Sequence, residues 1–186
     1  TRGAYCKLKF VETSLKGSYI IELEKLEDER GFFTRMWDEE IFQNKELNSR
    51  LVQISLSSNK KKGTLRGMHF QEKPFEETKI VRCVKGKIFD VIIDLRSNSK
   101  THKKWISVEL NSNDLKMIYI PEGFAHGFQT LEDNTEVMYQ MSNWFSPEHA
   151  KGIRWNDQEF NIKWPINEPI ISKKDQSHEL QNTRRE

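Results

Sequence analysis

The chain of 186 residues has only two cysteines, Cys6 and Cys83, far apart. That is too few for a disulfide framework, and Cys83 sits in a strand pattern where a buried thiol is the usual case, so a reducing, cytoplasmic setting is expected. No run approaches the roughly 18 apolar residues of a membrane-spanning helix. The N-terminal TRGAYCKLKF also lacks the apolar centre of a signal peptide, which predicts a soluble protein that is not exported. An excess of one charge is missing too: 30 basic and 28 acidic residues leave +2. That balance argues against a broad field for nucleic acid and against a basic helix for a membrane surface, so any anion site must be local. There is no internal repeat.

What remains is a soluble, globular composition with 35% hydrophobic, 31% charged and 11% aromatic residues. Its mean hydropathy is -0.78. The length fits one domain over 1–186, with a polar tail from Ser172 expected to be ordered only at its start. Short apolar patches around 8–11 and 19–26 are long enough for strands and too short for helices. Asp38 is a plausible N-cap for one short helix over 38–48. From Leu51 onward apolar residues recur with period two between turn signals. Segments 80–84 and 88–95, joined by Lys85-Gly86-Lys87, read as a hairpin with Phe89, Val91, Ile93 and Leu95 on one face and Asp90 and Asp94 on the other. Strands at short, even spacing with almost no helix predict an all-β sandwich or barrel.

Stretch 63–82, GTLRGMHFQEKPFEETKIVR, crowds Arg66, His69, Gln71 and Lys79 into what reads as one strand-like segment. Its other positions, including Leu65, Met68 and Ile80, suit burial. Polar groups turned inward on a strand point to a site. Each candidate also has a plainer reading. A lone strand histidine such as His69 or His126 is more often a satisfied hydrogen-bonding group than a base, and Tyr139 is ordinary core material. Lys79 reads as a surface lysine, Arg66 as an internal salt-bridge partner and Arg30 as a partner of Asp28. Trp155, Phe160 and Trp164 read as packing for the C-terminal segment.

Pro121-x-Gly123-x-x-His126 resembles the second motif of the cupin superfamily, and Gly63 followed by five residues and His69 resembles the start of the first. A metal-binding cupin has a second histidine two positions after the first. Here that position is Gln71, with no carboxylate at the expected spacing, which leaves too few ligands for a His-rich divalent site. No metal is therefore expected.

Six motifs in order resemble the dTDP-4-dehydrorhamnose 3,5-epimerase family over residues 20 to 175. They are Asp28-Glu29-Arg30-Gly31-Phe32-Phe33, Leu65-Arg66-Gly67-Met68-His69-Phe70-Gln71, Lys79-Ile80-Val81, Ile120-Pro121-Glu122-Gly123-Phe124-Ala125-His126-Gly127-Phe128, Glu136-Val137-Met138-Tyr139 and Ile153-Arg154-Trp155-Asn156-Asp157. The resemblance implies a cupin-type jelly-roll β-sandwich with one or two short helices. It also implies an enzyme without metal or other cofactor, a homodimer with an active site shared between subunits, and a nucleoside-diphosphate-4-keto-6-deoxysugar substrate inverted at carbon 3, carbon 5 or both.

Such chemistry needs a base on one face of the carbon beside a ketone, a donor or positive charge for the developing enolate oxygen, and an acid on the opposite face. By resemblance His69 is the base, Lys79 steadies the oxygen and Tyr139 is the acid. Asp175 backs His69, with Asp157 ranked as structural. Arg66 and Arg30 hold the diphosphate, since a guanidinium matches phosphate oxygens bidentately. His126 lines the pocket, and Phe33, Gln53 and Phe145 lie at the nucleotide. Arg35, Ser55, Phe145 and the run Glu76-Glu77-Thr78 depart from the family pattern, and none is expected to touch the proposed base, acid or enolate stabiliser. Two other readings stand beside this one: a sugar-nucleotide-binding cupin without turnover, and a metal-dependent cupin isomerase or oxygenase using His69 and His126.

Overall fold

The computed structural model of the protein describes residues 6–180. Along the chain come β1 (Leu8–Glu12), β2 (Tyr19–Leu23), β3 (Leu26–Asp28), β4 (Gly31–Phe33), α1 (Glu39–Asn44), β5 (Gln53–Asn59), β6 (Thr64–Gln71) and β7 (Lys79–Lys85). They are followed by β8 (Lys87–Asp94), β9 (Trp105–Asn111), β10 (Lys116–Ile120), β11 (Phe124–Thr130), β12 (Thr135–Met141), β13 (Ala150–Gly152), β14 (Ile170–Ile171) and α2 (Lys173–Gln176). One sheet has the order β1-β2-β10-β7-β12-β5, and the other β13-β6-β11-β8-β9 with β14 added beside β6; β3 and β4 form a separate two-stranded sheet. The pairings are antiparallel except β14 on β6. This is the expected jelly-roll β-sandwich with two short helices. Among the described residues no helix is long and apolar enough to cross a membrane.

The two sheets pack on each other, and each is covered over part of its outer face. Val81, Cys83, Ile118 and Val137 of the first sheet meet Ile88, Ile92, Leu110 and Phe128 of the second to form the layer between them. Removing a large side chain from such a layer costs about 3–5 kcal/mol. The outer face of the first sheet, with Ile21, Ile80, Met117 and Tyr119, is covered by Phe42 of α1. That helix starts as expected, Asp38 accepting the Ile41 N–H at 3.3 Å. The outer face of the second sheet, with Leu65, Met68, Val91 and Ile93, is covered by Ile153, Phe160 and Trp164 of the C-terminal segment. The packing role expected of those aromatics holds.

Two expectations are corrected. Segments 80–84 and 88–95 do not pair: β7 lies between β10 and β12 in one sheet, β8 between β11 and β9 in the other. Gly86, at φ 76, carries the chain across, and a Cβ there would collide with Thr135. The reason is burial on both faces of β8. Ile88 and Ile92 fill the layer between sheets while Val91 and Ile93 fill the outer one, so the strand needs a central place and not a hairpin partner alone. Stretch 63–82 is likewise not one strand. It is β6 in the second sheet and β7 in the first, with a loop over 72–78 between them. Period-two patterning marks strands without saying which sheet each joins. Residues 1–5 and 181–186, including the end of the polar tail, lie outside the described residues.

Candidate active site

Because β6 and β7 belong to opposite sheets, their polar residues face each other across one end of the sandwich. A cavity of about 300 Å³ opens there, lined in part by His69, Lys79, Tyr139, Gln53, Phe145 and Glu77. His69 comes from β6, Lys79 from β7 and Tyr139 from β12 beside it, where Met141 faces Lys79 and Tyr139 faces Val81.

The partner of His69 comes from far along the chain. β14 docks parallel to β6, Ile170 opposite Thr64 and Ile171 opposite Leu65. Ser172 then caps α2 and accepts the Asp175 N–H, and this places Asp175 Oδ1 2.7 Å from His69 Nε2. Gly67 N–H donates to the other carboxylate oxygen at 3.2 Å. The Asp175 side chain is 8% exposed and that of His69 44%. Burial pushes the Asp175 carboxyl up, but the His69 hydrogen bond, the His69 charge and the Gly67 N–H together hold it below the usual carboxylate value. An ionised carboxylate only accepts, so Nε2 carries the imidazole proton and Nδ1 keeps the free lone pair.

Facing this pair, the Lys79 ammonium lies 3.0 Å from Glu77, both nearly buried. Burial drives the Tyr139 phenol well up, and the Ser57 hydrogen bond and the nearby Arg66 charge oppose this only in part. A polar chain runs from that phenol: Ser57 Oγ is 3.2 Å from Tyr139 Oη, Asn59 Nδ2 donates to Ser57 Oγ at 3.3 Å, and Arg66 Nε donates to Asn59 Oδ1 at 2.7 Å. Gln71 proves to be a clamp. Its amide nitrogen reaches Phe75 O, Glu77 and Trp144 O, and its oxygen accepts from Ser146 N–H, so it ties the 72–78 loop to the segment that presents Phe145. Gln53 accepts the Phe145 N–H at 2.8 Å.

Of the residues expected at a site, the structure therefore brings together His69, Lys79, Tyr139, Gln53 and Phe145 at one cavity, with Asp175 bonded behind His69 and Arg66 joined through Asn59 and Ser57. His126 is not among the lining residues. It is buried, opposite His69 in the strand register, with Nε2 2.7 Å from Asp90 and its ring edge-on to Tyr139 at 6.3 Å. Arg30 and Phe33 lie on the exposed two-stranded sheet, Arg30 paired with Asp28. Asp157 is buried and accepts the Glu159 N–H. Of the departures from the family pattern, Arg35 pairs with Asp38, but Glu77 corrects the expectation that none would touch the enolate stabiliser: the loop over 72–78 folds its carboxylate back onto Lys79.

Sequence reasoning missed Ser57, Asn59, Glu77, Lys151, Lys174 and His178. The last three line the cavity from β13 and the C-terminal segment, whose docking no local pattern announces. Lys79, Lys151 and Lys174 line the cavity together with Glu77, which pairs with Lys79, while Lys151 lies 3.9 Å from Glu72 outside the lining; the excess of lysine suits an anionic ligand. A wider depression of about 940 Å³ shares Phe70 and Gln71 with this cavity, but its wall has no histidine, and its Arg96 is held by Asp94.

Comparison with known proteins agrees with this arrangement. The dTDP-4-dehydrorhamnose 3,5-epimerase family profile matches residues 12–182. The chain is 44% identical over 175 residues to the dTDP-4-dehydrorhamnose 3,5-epimerase of Methanothermobacter thermautotrophicus, covering 92% of this chain and 93% of that protein. Among solved structures, the Bacillus anthracis enzyme of the same name, with TDP and PPi bound, superimposes with a TM-score of 0.91 at 37% identity, covering 94% of this chain and 99% of the other. ChmJ of Streptomyces bikiniensis, a 3'-monoepimerase in complex with dTDP-quinovose, gives 0.84 at 26% identity over 90% and 85%. A two-sheet sandwich whose histidine, lysine and tyrosine meet at one cavity, matched over nearly its whole length, belongs to the dTDP-4-dehydrorhamnose 3,5-epimerase family of isomerases.

Proposed function

We propose that the protein epimerises a dTDP-4-keto-6-deoxysugar at carbon 3, carbon 5 or both, with His69 as base and Tyr139 as acid. The observation that carries this reading is the placement of the two groups on opposite sheets of the sandwich. His69 stands on β6 and Tyr139 on β12, so a sugar ring between them meets the base on one face and the acid on the other. His69 Nδ1 takes the proton from the carbon beside the ketone, and ionised Asp175 stabilises the resulting imidazolium. The Lys79 ammonium, aimed into the cavity beside Glu77, holds the enolate oxygen. Tyr139, kept protonated by burial, donates to the opposite face of the same carbon, and Ser57 orients its hydroxyl.

The diphosphate is met by the cavity lysines and, in the assembled protein, by Arg66 and Arg30. A homodimer supports the role of Arg30 and Phe33. Phe33 is 58% exposed, and Ile54 and Leu56 on the edge strand β5 are 62% and 61% exposed, an apolar surface suited to a second copy that would carry the β3-β4 sheet toward its partner's cavity. The reading places the protein in the cytoplasm, where activated sugars are made.

The family membership and the opposed base and acid favour turnover over binding alone. The metal-dependent alternative needs His69 and His126 to converge on one ion, but His126 is taken by Asp90. The deciding measurement is incubation with dTDP-4-keto-6-deoxyglucose in heavy water, reading deuterium at each carbon. Incorporation at carbon 3, carbon 5 or both is expected and identifies the position. No incorporation at either carbon would sink the assignment.

A further inference from the structure

The proton-transfer scheme leaves one side chain at the cavity unused. His178, just beyond α2, lines the cavity and meets the His69 ring edge to face, with centroids 5.8 Å apart. Its Nε2 is buried and makes no hydrogen bond, lying 3.4 Å from Asp175 Oδ1. The ligand atoms of His69, Asp175 and His178 all fall within 4.8 Å of one another.

We propose that His69, Asp175 and His178 form a site for a divalent transition-metal ion of the zinc class, and that occupancy of this site switches the enzyme off. Two imidazole nitrogens, which are borderline donors, beside one carboxylate oxygen select zinc-like ions over calcium or magnesium, which prefer oxygen alone. In a tetrahedral zinc site, bond lengths of about 2.0–2.2 Å put neighbouring ligand atoms about 3.4 Å apart. Asp175 Oδ1 is already 3.4 Å from His178 Nε2 and 2.7 Å from His69 Nε2, and all three ligand atoms lie within 4.8 Å, so the ion is seated by opening the His69 contact and letting the two imidazoles adjust about it. The site is reached from the cavity, which His69 and His178 both line and where His69 is the most exposed of the three side chains.

Gly152 makes room for this geometry. It faces His69 in the β13–β6 register, and a Cβ on it would overlap the His178 ring.

Inhibition follows from the tautomer. The ion forms a dative bond with His69 Nε2 in place of the proton, which passes through water to Nδ1. The ring stays neutral overall, but the nitrogen that faces the substrate now carries a proton and has no lone pair to accept another. This switching half rests on the proposed role of His69 as base, whereas the site itself does not.

The test uses the full chain, stripped with EDTA and titrated with Co²⁺ as a visible-band probe, with Zn²⁺ added to displace it. Saturation at one Co²⁺ per chain is expected. Loss of an outer partner costs a metal site about 10-fold or more in affinity, and loss of a direct ligand costs at least that, so H178A should weaken Co²⁺ by about 10-fold or more. G152A, which removes no ligand but displaces the His178 ring, should do the same. In the deuterium-exchange assay, Zn²⁺ should depress the wild-type rate and EDTA restore it, while each variant, normalised to its own metal-free rate, resists. No saturable band, or equal affinity in wild type and both variants, overturns the site. Co²⁺ bound at the site with exchange untouched overturns the switch. A protein that exchanges nothing even when metal-free refutes the proposed reaction, and the cobalt titration still decides the site.

Discussion

Two histidine–carboxylate pairs are built on neighbouring strands of the second sheet, and they differ in almost everything but length. His69–Asp175 and His126–Asp90 both close at 2.7 Å, and the two histidines face each other in the β6–β11 register. The first pair opens onto the cavity, with a histidine side chain 44% exposed; the second is sealed, at 5% and 0%. Burial pushes both carboxyls up, yet they end on opposite sides of the usual value. Asp175 ends below the usual value because its hydrogen bonds outweigh desolvation, whereas desolvation wins at Asp90 and raises it, and one Asp90 oxygen has no hydrogen-bond partner. On the proposed mechanism, the same two side chains make a base where solvent and substrate can reach them and a structural post where they cannot. The buried pair still bears on the site, because His126 packs edge-on against Tyr139 and the Asp90 charge adds to the upward shift of that phenol.

Breaking each pair should separate these roles. His69→Gln should lower deuterium exchange into substrate by about 10²–10⁴-fold, the usual worth of general acid–base catalysis, with little change in the urea unfolding midpoint. His126→Ala should do the reverse in kind. It leaves Asp90 buried and unpaired, at a cost of about 3–5 kcal/mol of folding stability, read as a lower urea midpoint at constant slope. If His126→Ala leaves the midpoint where it was, the second pair is not a structural post.

Tyr139→Phe sharpens the division across the cavity. Exchange on the His69 face should be largely spared while inversion falls by about 10²-fold, compared by deuterium incorporation and product stereochemistry in one reaction. Equal loss of both would remove Tyr139 from the acid role.

The smallest expected effect is in the pH dependence of stability. The folded Asp175 value is lowered, so its contribution is fully present above the ordinary aspartate value of about 3.9 and is lost as pH falls through the folded value. The folded Asp90 value is raised, so its contribution is present below about 3.9 and is lost as pH rises through the folded value. Urea midpoints measured across pH should therefore flatten on the acid side in Asp175→Asn and on the opposite side in Asp90→Asn. Parallel curves for the two variants would show that the environments do not differ as described.

Much of this was legible before any coordinates. The strand rhythm, the Asp38 cap and the motifs around His69, Lys79 and Tyr139 are local features, each set by side-chain periodicity or by a few neighbouring residues. Asp175 was legible only through family resemblance, since nothing in Ser172-Lys173-Lys174-Asp175 by itself announces a partner for a histidine 106 positions away. The hairpin expectation for 80–95 failed for a related reason: alternation marks a strand's faces, and β8 needed partners that filled both of them. His178 carried no signal at all, because its place depends on a glycine in β13 and on the docking of β14.

By itself, the sequence determined an all-β chain without a charge field or disulfide framework, the positions of most of its strands and the chemical kinds of its candidate site groups. Tertiary structure alone decided which sheet each strand joins, which of two similar histidines reaches solvent, and which carboxylate stands behind each. The physical reason is that pKa, accessibility and opposed faces are properties of distance and burial, and those arise only when segments far apart in sequence pack together.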